Sequence, residues 1–225
     1  PNTFVLAVSS ILIAIVLGLL LGVFSALVKD SKTDRAIQLL STLGMSLPSF
    51  FSAILFAWFF AYVLHQYTGL RMTGSLYELD DLGEKYAIQW KNLILPAVVL
   101  GIRPLAVVIQ LMRNSLLETL TQDYIRTARA KGLSEFQVIK NHAFKNSLNP
   151  VVTAISGWFA SMLAGAVFVE YIFGWNGLGK EIVEALNTLD LPIIMGAVLT
   201  IAVMFVLINI LVDVVYAWLD PKIRA

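Results

Sequence analysis

Long stretches without a charged side chain constrain this chain more than any other feature. No Asp, Glu, Lys or Arg occurs from Pro1 to Val28, or from Ala36 to Leu70. A helix that crosses the hydrocarbon core of a bilayer needs about 20 mostly apolar residues. Five segments meet that requirement, near Phe4–Val28, Leu43–His65, Leu93–Leu117, Val151–Ile172 and Pro192–Leu219. The fourth is uncharged until Glu170 and the fifth until Asp213. Backbone in lipid must satisfy its own hydrogen bonds, so runs of this length read as helices. The expected fold is all-α, a polytopic transmembrane bundle of five spans, with 1–225 forming one membrane domain. Only 14% of the residues are charged, against about 25% in soluble domains. Pro48, Pro96 and Pro192 fall near span ends, where a missing N–H does least harm. Trp58, Phe59, Phe60 and Tyr62 suit an aromatic belt at one interface.

Basic residues in the connectors set the orientation. Lys29, Lys32 and Arg35 follow the first span. Arg113, Arg126, Arg129, Lys131, Lys140 and Lys145 surround the third connector, and Lys222 and Arg224 lie in the tail. These three regions share a side. The other side carries Glu78, Asp80, Asp81, Glu84, Glu170, Glu181, Glu184 and Asp190, with fewer cations. The bias puts the third connector and the C-terminus in the cytoplasm and the acidic loops outside.

The third connector, about 118–149, has its own architecture. A first short helix is expected to continue from the preceding apolar segment to about Lys131. Gly132 then suits the left-handed position past a helix end. Ser134 starts a second helix, with Gln137 placed to complete a capping box. On that helix Phe136, Ile139, Ala143 and Phe144 share a face, while Lys140 and Lys145 lie elsewhere. A helix–Gly–helix elbow with an apolar stripe is shaped to dock on a partner, and a merely solvated loop has no use for that stripe.

The run Tyr124-Ile125-Arg126-Thr127-Ala128-Arg129-Ala130-Lys131-Gly132-Leu133 resembles the cytoplasmic "EAA" loop of the membrane subunits of binding-protein-dependent ABC importers. The similarity is greatest to the dipeptide/oligopeptide/nickel subclass. Arg126-Thr127-Ala128 stands where the general pattern has Glu-Ala-Ala, and Lys145 where the wider family often has Pro. The stretches Val169–Gly179, Val212–Arg224 and, more weakly, Ser46–Phe50 extend the resemblance over nearly the whole chain. The family normally has one more helix before this point, so its first helix is expected to be absent from this chain.

The resemblance implies a permease subunit of the cell (inner) membrane without its own ATPase site. It would pair with a second homologous permease, line a path for short peptides, and receive substrate from an extracytoplasmic binding protein. Two cytoplasmic ATPase subunits would hold ATP and Mg; no cofactor is expected in this chain. The residues expected to couple to the ATPase are Tyr124, Arg126, Ala128, Lys131, Gly132, Leu133, Ser134, Phe136, Ile139 and His142. Nickel or a metal chelate is the alternative cargo, and an ion-coupled secondary transporter the alternative class. The latter would call for buried acids near mid-membrane and inverted repeats, neither of which is visible.

The remaining signals are weaker. Gly174-Trp175-Asn176-Gly177-Leu178-Gly179-Lys180-Glu181 nearly spells a phosphate-binding loop, but Glu181 stands where Ser or Thr would hold Mg²⁺. A Gly-rich turn into a short external helix is the expectation there. Arg103 lies deep in the third span, where a charge suggests function, and is the candidate pathway residue. Asp213 is expected to have a structural role, such as pairing with Arg113. Gly18 and Gly22, and Gly157, Ser161 and Gly165, would permit close helix approach. Cysteine is absent and His65 and His142 are the only histidines, so no metal site is expected. No catalytic constellation is present, and nothing points to nucleic acid.

Overall fold

A computed structural model describes residues 1–79 and 86–219, with backbone alone at 160, 163–165, 211–213 and 215–219. The first helix, α1 (Asn2–Leu27), is unbroken and ends before Asp30, which takes a positive φ of 61°. Ser31 caps α2 (Lys32–Ser46) by accepting from the Asp34 amide, which satisfies one orphan donor of the first turn. α3 (Ser49–Phe56) continues into a π-helical segment, Ala57–Val63, and then α4 (His65–Thr68), closed by Gly69 at φ +60°.

The expected second span, Leu43–His65, is not one straight helix. The helix breaks between Ser46 and Ser49. Pro48 causes this. It forces the preceding residue out of the helical region, and Leu47 is extended at φ −77°, ψ 133°.

A small hairpin, β1 (Tyr77–Leu79) and β2 (Tyr86–Ile88), follows. Tyr77 pairs with Ile88 and Leu79 with Tyr86, antiparallel. Asp80, Asp81 and Glu84, read as part of an acidic loop, lie outside the described residues, as do Lys222 and Arg224 in the tail. α5 (Trp90–Thr119) leads to the elbow helices α6 (Asp123–Ala130), α7 (Glu135–Val138) and α8 (Phe144–Ser147), with a π-helical turn at Ile139–Ala143 between the last two. α9 (Asn149–Gly165), α10 (Val167–Phe173), α11 (Leu178–Thr188) and α12 (Leu191–Leu219) complete the order.

Three helices are long and apolar enough to cross a membrane among the described residues: Asn2–Leu27, Trp90–Thr119 and Leu191–Ile210. Lys32–Ser46 and Ser49–Val63 make a fourth if taken as one broken span. The expected fourth span, Val151–Ile172, is divided at Ala166 into α9 of 17 residues and α10 of 7. Gly165, a weak helix former, stands at the division. The structure thus carries three to four candidate spans where the sequence suggests five.

The described residues form two compact units. One comprises those within Pro1–Ser10, Pro48–Leu100 and Ser156–Ala225; the other comprises Ile11–Leu47 and Gly101–Ile155. In the first unit Leu6, Val169, Phe173 and Trp175 are fully buried. The Trp175 indole donates to the Asn2 carbonyl at 3.1 Å, and the Leu178 amide to Thr3 Oγ1 at 2.9 Å. By contrast the most apolar window of α12 is only 11% buried, which leaves that surface for lipid or another chain.

In the second unit α1 packs closely on α5. A Cβ at Gly18 would strike the Val108 side chain, and one at Gly22 would strike Met112 and the Ile109 carbonyl. Ala14 and Ala26 continue the same four-residue spacing and are buried, so α1 presents a smooth small-residue strip. Gly157 has no such neighbour: nothing lies within 4 Å of a Cβ built there.

Candidate functional site

The elbow is built on the end of α5. Its core is Ala26, Val108, Met112 and Leu116 from the long helices, joined by Ile125, Ala128, Val138 and Ala143 from the elbow. Both arms of the bend are therefore anchored by apolar burial. The first arm does not run straight out of the span as expected. α5 stops at Thr119, and residues 120–122 turn before α6 begins at Asp123. The turn frees α6 to bury Ile125 and Ala128.

The bend itself follows the sequence. Gly132 sits at φ +81° with open space where a side chain would project, so backbone conformation, not crowding, requires glycine here. The Ser134 amide donates to Gln137 Oε1 at 3.0 Å, and Ser134 Oγ accepts from the Gln137 amide at 3.4 Å, completing the capping box. Across the bend, Arg129 Nε and Nη2 donate to the two Glu135 carboxylate oxygens at 2.7 and 3.2 Å. These hydrogen bonds hold the Glu135 carboxyl below its usual range and the Arg129 guanidinium above its own. Asn146 Nδ2 donates to Tyr124 Oη at 2.8 Å, tying the second arm back to the first.

The structure separates the candidate residues into surfaces. Tyr124, Ala128, Lys131, Leu133 and His142, with Thr127, surround a cavity of about 280 Å³ between the arms. Arg126, Lys131, Gly132, Ser134 and Phe136 are exposed. Ala128 is 4% exposed and is part of the cavity floor rather than a free face. Phe136, Ile139 and Phe144 line a separate apolar groove of about 520 Å³ with Val16, Leu20 and Phe24 of α1. Ala143, expected on the same stripe, is fully buried. The reason is the wide turn at Ile139–Ala143, whose i→i+5 bonding changes the register on which that stripe was drawn. Lys140, expected elsewhere, also lines the groove, with its ammonium 5.8 Å from the Phe136 ring centre.

Two buried networks escape the sequence reading. Arg113 Nε and Nη2 donate to Asp34 Oδ1 and Oδ2 at 2.7 and 2.6 Å. Asp34 also accepts from Ser25 Oγ at 2.5 Å and from the Asp30 amide at 2.9 Å. Arg113 thus has Asp34 as its carboxylate partner, and the Asp213 side chain lies outside the described residues. The second network involves Glu170, which is fully buried; its Oε2 accepts from the Gly179 amide at 2.6 Å. A lone charge in an apolar run is the only signal for it. Among the described residues no group of three or more His, Cys, Asp or Glu could hold a metal ion.

Arg103 is exposed, in the middle part of α5. At the elbow end of the same helix a polar cavity of about 400 Å³ is bounded by Ser115, Glu118, Thr119, Gln122, Tyr124 and Asn149, among others.

Comparison with known proteins adds four findings. The family model described as "binding-protein-dependent transport system inner membrane component" matches residues 18–225. The chain is 38% identical over 224 residues to the dipeptide transport system permease protein DppB of Bacillus subtilis (strain 168), covering 100% of this chain and 68% of that protein. It is 36% identical over 239 residues to the di/tripeptide transport system permease protein DppB of Pseudomonas aeruginosa (strain UCBPP-PA14), covering 100% and 70%. Among solved structures, an inward-facing form of the MetNI methionine ABC transporter superposes with a TM-score of 0.73 at 14% identity, covering 97% of this chain and 93% of that one. That last similarity concerns the fold alone.

Proposed function

This chain belongs to the family of binding-protein-dependent transport system inner membrane components, and from that premise we propose that it forms, with a second related permease, the path by which short peptides cross the cell membrane. It is a multi-pass membrane transport subunit of the ABC importer type. The names of its relatives support peptides as cargo. Two partner ATPase subunits bind ATP and Mg and hydrolyse the nucleotide, and an extracytoplasmic binding protein delivers substrate.

The elbow carries this reading. It faces the cytoplasm and is the coupling element, within a loop of about 118–149. A bend that is capped at Ser134, clamped by Arg129–Glu135 and rooted through Ile125 and Val138 transmits force without deforming. Its outward groups are Tyr124, Arg126, Lys131, Ser134 and Phe136, and Tyr124 and Lys131 share the cavity between the arms with Leu133 and His142. An aromatic side chain that is 72% exposed, Phe136, is the kind of anchor that buries in a partner's pocket. Ile139 supports it from the groove side.

The test is purification of the whole transporter with Phe136→Asp or His142→Glu in this chain. The ATPase should then dissociate, and ATP-dependent peptide uptake in proteoliposomes should fall by about tenfold or more, as for loss of an interface anchor. Retention of both ATPase and uptake in the two variants would overturn the coupling assignment.

A further inference from the structure

A polar stripe runs down one face of α5. Positions 103, 107, 110, 114 and 118 recur at helical spacing and share a side. They are Arg103, Val107, Gln110, Asn114 and Glu118. Arg103, Asn114 and Glu118 are exposed, and Val107 and Gln110 are partly so. Asn114 accepts from Arg113 Nη1 at 3.3 Å. Arg103 and Gln110 have no hydrogen-bond or ion-pair partner among the described residues. The stripe ends in the polar cavity that Glu118 helps to line.

Facing lipid, an unpaired guanidinium at mid-helix would be costly, and such groups turn to a partner or to a water-filled cavity. A single acid on a neighbouring subunit would neutralise Arg103 but would leave Gln110 and the polar groups beyond it unexplained. A wetted wall accounts for the whole stripe and for the cavity at its end.

We propose that Arg103 is an anion-binding position of the translocation path and takes the free carboxylate of a short peptide, an inference that rests on the permease reading above. The planar fork of arginine matches a carboxylate with two parallel hydrogen bonds. Gln110 lies seven residues further along, about 10 Å at 1.5 Å per residue. An extended di- or tripeptide spans roughly 7–11 Å, so one bound by its carboxylate at Arg103 reaches Gln110, whose amide can donate and accept. Glu118 lies beyond that reach, about 22 Å from Arg103 along the axis. Its negative charge sits where the carboxylate would leave the stripe, which favours release over retention.

The absence of cysteine from the sequence allows a direct test in the assembled transporter. Arg103→Cys is reconstituted with its partners and treated with water-soluble thiol reagents that add a cationic, a neutral or an anionic group. Uptake is measured with a mixture of radiolabelled di- and tripeptides. The introduced thiol should react, and the cationic adduct should restore uptake about tenfold or more over the neutral one, as expected for a lost charge-assisted bond. The anionic adduct should be the least active.

Three results would overturn the proposal: the introduced thiol is unreactive, uptake does not depend on the charge added, or the untreated variant no longer co-purifies with the second permease. The last would make Arg103 an interface ion pair. If the wild-type complex shows no ATP-dependent peptide uptake at all, the permease reading for peptides fails first, and separately.

Discussion

Glu170 Oε2 accepts the backbone N–H of Gly179 at 2.6 Å across nine residues of chain. Gly179 lies in the first turn of α11, whose N-cap residue, Gly177, has no side chain to cap with. A carboxylate at a helix N-terminus meets free amides and the positive end of the helix dipole. The glycine-rich run that resembles a phosphate loop thus cradles the chain's own Glu170 carboxyl group. The glycines follow from that geometry. A Cβ on Gly177 would overlap the Glu170 carboxylate, and one on Gly179 would overlap the Val167 backbone.

Gly179→Ala should therefore destabilise the protein by about 1–3 kcal/mol, the usual cost of forcing extra volume into a packed site. Glu170→Ala should cost a similar ~1–3 kcal/mol by leaving the α11 amides without their acceptor. Glu170→Gln keeps an acceptor of the same shape and should cost less than either. Thermal unfolding of the solubilised complex ranks the three, and a Gln variant as unstable as the Ala variant would refute the cap.

At Gly132 the prediction separates strain from crowding. The φ of +81° disfavours any L side chain, yet nothing lies within 4 Å of the added Cβ. Gly132→Ala should cost about 1 kcal/mol through backbone strain alone. Gly132→Asn should cost less, since Asn tolerates left-handed conformations. An Ala variant with wild-type stability in chemical denaturation would show that the bend relaxes freely.

The features that sequence makes legible are the local ones. Gly132, Ser134 and Gln137 lie within six residues, and their pattern specifies the elbow before any packing is known. The long apolar runs likewise mark α1, α5 and α12. Asp34 and Arg113 are 79 residues apart in the chain, and no local pattern links them. Sequence alone therefore offers Asp213 to Arg113 as readily as Asp34. Ala143 misleads for another reason: a wide turn inserted at Ile139–Ala143 breaks the periodicity on which the stripe depends. Pro48 reads as a residue at the end of one straight span, but it separates α2 from α3, with Leu47 extended between them. The polar stripe of α5 is written in the sequence, yet only exposure along the helix distinguishes Gln110 and Asn114 from residues turned inward.

The Asp34–Arg113 pair is nearly enclosed, with side chains 3% and 17% exposed. Asp34 has further donors in Ser25 and the Asp30 amide. Removing one member alone, as in Asp34→Ala or Arg113→Met, should cost about 3–5 kcal/mol because the other charge is stranded. The double variant Asp34→Leu with Arg113→Met should recover much of that loss. A double-mutant cycle on unfolding free energy measures the coupling, and additive losses would mean that the two side chains act independently.

The Arg129–Glu135 clamp offers a pH-dependent test of the elbow's rigidity. Hydrogen bonding to Arg129 lowers the Glu135 pKa from its ordinary 4.5. A depressed carboxylate contributes stability that is fully present above the unfolded-state value and is lost as pH falls through the folded one. The clamp should accordingly be intact at pH 7 and fail progressively below about pH 4.5. Both side chains are substantially exposed, 40% and 65%, so water and salt screen the pair and its contribution stays within about 0–1 kcal/mol. The effect is therefore local. Amide exchange at residues 132–136 should speed up in acid, while exchange in the Val108–Leu116 core does not. At pH 7, Glu135→Gln should reproduce the acid behaviour at the bend, and ~1 M salt, which shortens the screening length to about 3 Å, should reproduce part of it. Equal acceleration across bend and core would show that acid loosens the whole unit, and that the clamp plays no separate part in stiffening the elbow.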